Sequence, residues 1–141
     1  MIIKQLSVFL ENKSGRLHEV FTVLGASNIN VSACSVADTS EFGILRMIVS
    51  EPDKAREILK EKLFSVNVSE IISFATPNEP GALSKTLQIL SDAQISIEYL
   101  YGYSIGDKSF IALRCDNAEK AVMEFQRHQM ELISASELYK F

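Results

Sequence analysis

Asn12-Lys13-Ser14-Gly15-Arg16-Leu17 returns 66 residues later as Asn78-Glu79-Pro80-Gly81-Ala82-Leu83. The displacement that carries Gly15 onto Gly81 holds beyond these hexapeptides without a gap. Leu24 falls on Leu90, Ile29 on Ile95, Val31 on Ile97 and Lys54-Ala55 on Lys120-Ala121. Self-similarity at one fixed offset marks two copies of a single supersecondary unit. The copies are placed at 1–67 and 68–141. Units of about 65 to 70 residues bury little surface alone, so each is expected to pack on the other copy or on another chain.

The hydrophobic period changes across each hexapeptide. Before the first, Ile2, Leu6, Val8 and Leu10 share one parity and predict a strand. After it, Leu17, Val20, Phe21 and Leu24 recur at helical spacing, with Ser14 placed as a cap and Gly25 with Asn28 as the exit. Residues 29–37 and 44–49 predict a hairpin around Asp38-Thr39-Ser40-Glu41. Ser50-Glu51-Pro52-Asp53 then opens a second helix, with Ser50 as its cap and Ala55, Ile58 and Leu59 inward. The second copy repeats the order: strand 68–75, helix 81–93, strand 95–104, a turn at Gly106-Asp107, strand 110–115, a helix capped by Asn117, and a closing strand over 132–138. Strand, helix, strand, strand, helix, strand is the split βαβ, ferredoxin-like arrangement. The predicted class is therefore α+β, two βαββαβ units with antiparallel sheets and helices on one face. Residues 63–77 leave two possibilities open: one long strand serving both units, or closing strands exchanged between them.

Composition narrows the function. A formal net charge of -4 lacks the basic face that phosphate neutralisation needs, so nucleic acid is not an expected partner. No apolar run reaches bilayer length and the chain opens directly into a strand pattern, so no membrane association and a cytoplasmic location are expected. Cys34 and Cys115 stand far apart with no CxxC or Cys/His spacing, predicting neither a disulfide framework nor a metal site. His18 and His128 have no carboxylate or cysteine at ligand spacing, and no nucleophile–base set emerges, so no enzyme, cofactor or metal is expected. Tyr99, Tyr101 and Tyr103 alternate along one strand and so share a face, either lining a pocket or buried against helices or at a domain contact; the first copy has Ala33, Ser35 and Ala37 there.

A unit of this length, with Asn-x-x-Gly-x-Leu between first strand and first helix and Asn28-Ile29-Asn30-Val31 opening the second strand, resembles the ACT domain. The second copy carries the fuller form, Asn78 to Leu83 followed by Gln94-Ile95-Ser96-Ile97. The resemblance covers the whole chain. It implies a regulatory protein that binds an amino acid or similar small metabolite at an interdomain or intersubunit groove and pairs edge to edge as a homodimer. It also leaves open an interaction subunit of an amino-acid biosynthetic enzyme, such as acetolactate synthase, with no ligand of its own. The implied ligand residues are Asn12, Ser14, Gly15, Arg16, Leu17, Asn28 and Ile29 in the first copy, and Asn78, Pro80, Gly81, Ala82, Leu83, Gln94 and Ile95 in the second. Glycine at the junction admits a tight turn and close ligand approach. The helix amides that follow suit a carboxylate. The first copy departs from the family pattern with Ser14 in place of proline; Arg16 either pairs with an acidic ligand group or lies solvated.

Overall fold

The computed structural model describes residues 1–11, 13–38 and 41–139. In chain order these form β1 (Ile3–Glu11), α1 (Arg16–Ala26), β2 (Val31–Asp38), β3 (Phe42–Val49), α2 (Pro52–Glu61), β4 (Ser65–Pro77), α3 (Ala82–Asp92), β5 (Ile97–Ile105), β6 (Lys108–Cys115), α4 (Ala118–Arg127), β7 (Glu131–Ile133) and α5 (Ala135–Tyr139). Backbone contacts divide the chain into two compact units. The first comprises Lys4–Ser69 with the segment from Ser136 onward; the second comprises Met1–Ile3 with Glu70–Ala135. The open question over residues 63–77 is answered by one strand: β4 runs 13 residues without a break.

In the first unit the strands run β2-β3-β1, with β4 beside β1. The core is built from Leu6, Val8 and Leu10 of β1, Val20 and Leu24 of α1, Leu45, Met47 and Val49 of β3, and Ala55 and Leu59 of α2. In the second unit β4 lies between β7 and β6, and β5 forms the edge beyond β6. Its core gathers Ile72, Phe74, Leu90, Ile111, Leu113, Ala121 and Phe125, with the Phe74 and Phe125 rings edge to face at 4.9 Å. Both are α+β units with antiparallel sheets, the ferredoxin-like plan the repeat predicts.

The repeat extends to the backbone. Gly15 and Gly81 have φ of 86° and 84°, and Asn28 and Gln94 both have 58°. Leu63 and Gln129 follow at 67° and 55°. Each pair stands 66 residues apart. The last two pairs close all four long helices in one way. At the end of α1, Asn28 N–H donates to the Gly25 carbonyl and Ile29 N–H to that of Leu24. Gln94 with Ile95, Leu63 with Phe64 and Gln129 with Met130 do the same for α3, α2 and α4. This is the Schellman closure, with an apolar residue just past the left-handed one packing back on the helix.

Some local expectations are corrected. Ser14 does not cap α1: the N-cap is Gly15 and no side chain accepts there. Ser50 does not cap α2 either, because its Oγ instead accepts from Asn30 N–H at 3.0 Å. Asn117 does cap α4, accepting from Lys120 N–H at 3.1 Å. The expected strand over 132–138 is only β7, after which the chain turns helical. Ala135-Ser136-Glu137-Leu138 has no alternating period to sustain a strand and contains good helix formers. Ser32 Oγ in β2 donates to the Leu138 carbonyl at 2.7 Å, fixing this short helix within the first unit.

Candidate functional site

β4 ends at Pro77, and four residues later Gly81 turns the chain into α3 through a left-handed conformation that a side chain would strain. Between them Asn78 is fastened to the β5–β6 turn. Its backbone N–H donates to the Asp107 carbonyl at 2.8 Å and its Nδ2 to the Gly106 carbonyl at 3.0 Å. The loop and the turn are thereby held over one end of the second unit's sheet.

A groove of about 360 Å³ opens beneath them. Loop residues Thr76 to Glu79 and Leu83 of α3 form one wall; Leu100, Gly102, Tyr103 and Ser104 of β5, with Ser109 and Ile111 of β6, form the other. Leu100 and Gly102 pair across the ladder with Leu113 and Ile111, and therefore face the helices. The tyrosines consequently face the opposite side. Tyr103 stacks on Phe110 there at 5.8 Å and, alone of the three, also lines the groove. A register shift between Ile97 and Tyr99 explains this parity, which simple alternation from Ile97 hides.

Of the residues implied in the second copy, Asn78 and Leu83 line this groove. Pro80 and Gly81 lie exposed in the adjoining loop, and Ala82 is buried at the start of α3. Gln94 and Ile95 stand at the far end of the 11-residue helix, about 16 Å away by helical rise. There Gln94 lines a separate hollow of about 370 Å³ with Lys120, Glu124 and Arg127, while Ile95 is in the core. A third hollow, of about 470 Å³, lies on the other side of the loop around the Lys108–Glu131 ion pair. It is the largest of the three, yet it shares only Thr76, Pro77 and Glu79 with the groove and contains neither Asn78 nor Leu83.

In the first copy Asn12 lies outside the described residues. Ser14, Gly15 and Leu17 are exposed, Asn28 is exposed at the end of α1, and Ile29 is buried in the core. Arg16 is neither simply solvated nor open to a ligand on all sides. Its guanidinium sits 4.7 Å from the Phe64 ring centre, Nη1 donates to Glu19 at 2.9 Å, and Nε is buried without a hydrogen-bond partner. Lys13, hydrogen-bonding and charge-pairing with Glu11 at 2.8 Å, holds that carboxyl below its ordinary range.

Sequence reasoning missed Leu100, Gly102, Ser104 and Ser109. The available signal was the glycine inside a strand, which often marks a bulge or a close approach. A Cβ at Gly102 would lie 2.3 Å from the Phe110 carbonyl oxygen. Among the described residues no group of three or more metal-ligating side chains forms, and no helix is long and apolar enough to cross a membrane.

The geometry has counterparts. A structure of protein BT0572 from Bacteroides thetaiotaomicron is 45% identical, covering 100% of this chain and 98% of that one at a TM-score of 0.95. The regulatory subunit of aspartate kinase from Thermus thermophilus, in a ligand-free form, shares the fold at 15% identity and a TM-score of 0.68, with coverage of 88% and 91%. That of Thermus flavus shares it at 15% and 0.64, with coverage of 90% and 94%. No curated protein matches the chain. The family model described as an ACT domain pair matches residues 1–141, end to end with the repeat. This chain belongs to the ACT domain pair family.

Proposed function

We propose that this chain is a non-catalytic, cytoplasmic regulatory protein that binds an amino acid or similar small metabolite and works as a homodimer. The two domains are taken as 1–67 and 68–141. The observation that carries the reading is the groove of the second unit, where the Asn78-to-Leu83 loop meets the edge strand β5. No side chain caps α3, so its first-turn amides suit a carboxylate at the groove's loop end. The outer backbone of β5 offers carbonyls to an ammonium and hydrogen bonds to a second copy. A ligand held there favours whichever pairing completes its contacts, and that preference is the regulatory output.

Calorimetry and thermal shift of the full chain with the standard amino acids test the reading. Saturable binding of at least one, lost in Gly81→Val while the circular dichroism spectrum persists, is expected. Silence across the panel, together with recovery of a stoichiometric enzyme in pull-downs, turns the assignment to an interaction subunit instead.

A further inference from the structure

We infer that the groove of the second unit selects a neutral amino acid with an apolar side chain, an inference that rests on the small-molecule reading above. Its walls are Leu83, Leu100 and Ile111. Leu100 shares its sheet face with the fully buried Leu113, yet is itself 37% exposed, an apolar side chain left uncovered beside the loop. Gly102 puts no side chain between the walls, because the backbone and the Ile111 side chain of β6 close in on it. No side chain fits at that position, since its first carbon would strike the Phe110 carbonyl oxygen at 2.3 Å. The corresponding position of the first copy, 66 residues earlier, is Val36, whose Cγ1 stands 3.7 Å from where a Cβ of Gly43 would lie. The first copy thus places a side chain where the second has none.

The polar groups limit the choice further. Among the described residues lining the groove, Glu79 is the only charged one, and it matches an ammonium. The Ser104 and Ser109 hydroxyls lie 2.6 Å apart and bond to each other, so one of their two protons is already committed. A ligand with a second carboxylate would lose hydration next to Glu79 with no lysine or arginine to meet it. A cationic side chain would either end among the leucines or compete with the ligand's own ammonium for Glu79. An aliphatic or aromatic side chain meets neither penalty and gains by covering Leu83 and Leu100.

Isothermal calorimetry on the full chain with leucine, valine, phenylalanine, aspartate, glutamate and lysine decides it. At least one of the first three should bind about tenfold or more tighter than any of the last three. Leu100→Lys, at an exposed position that leaves the core intact, should weaken the apolar ligand about tenfold and narrow its lead over glutamate. Leu83→Ala gives an independent wall variant with the same expected direction. A charged amino acid binding as tightly as the best apolar one, or Leu100→Lys leaving the apolar affinity unchanged, overturns the selectivity while the regulatory reading stands. Silence from all six, with the fold confirmed by circular dichroism, overturns the selectivity, and silence across the full set of standard amino acids overturns the small-molecule reading as well.

Discussion

Three glycines show how differently one residue type can be required. Gly15 and Gly81 need their left-handed backbone but have open space where a Cβ would go. Alanine at either should therefore cost only conformational strain, about 1 to 2 kcal/mol in denaturant unfolding. Gly102 has no positive φ but faces a backbone oxygen, so Gly102→Ala forces the β5–β6 ladder apart and should cost about 3 kcal/mol. Equal losses at all three would refute the distinction. The two cysteines also separate cleanly. Burial, the largest influence on Cys115, pushes its thiol up and keeps thiolate scarce, whereas Cys34 is exposed. A thiol reagent near neutral pH should label one site per folded chain and the second only after denaturation; rapid labelling of both would contradict the burial of Cys115.

At the scale of elements, the four Schellman closures explain which parts of the chain could be read in advance. Helices and strands were legible because their apolar residues keep a period, and the repeat gave each assignment a second chance. Asn28-Ile29 and Gln94-Ile95 were legible as a motif, but the motif's geometry is that of a helix end, and for Gln94-Ile95 the groove lies at the other end of α3. The groove itself was obscure because its β5 wall follows a register shift, which reverses the parity that alternation predicts. Helix ends offer a direct test. Leu63 is left-handed and 90% exposed, so its side chain bears the strain without burying surface. Leu63→Gly should stabilise the protein by about 0.5 to 1 kcal/mol. Asn117→Ala should instead destabilise α4 by about 1 kcal/mol, since its Oδ1 holds Lys120 N–H. Thermal and denaturant midpoints moving the other way would count against these assignments.

At the scale of the whole molecule, the units do not coincide with simple halves of the sequence. β4 contributes residues to both, and the segment from Ser136 onward belongs with the first unit although it follows the second copy. A chain ending at Ala135 loses the Ser32–Leu138 hydrogen bond, so amide hydrogen exchange should quicken in β2 while β5 and β6 keep their protection. Unchanged exchange in β2 would show that the terminal helix is dispensable. The left-handed positions also bear on redesign. Asparagine, leucine and glutamine all occupy the φ of 55° to 67° that closes a helix here, so these sites ask for a handedness and little for a particular side chain. Either copy can therefore be given new side chains for separate tasks while the angles that end its helices are kept.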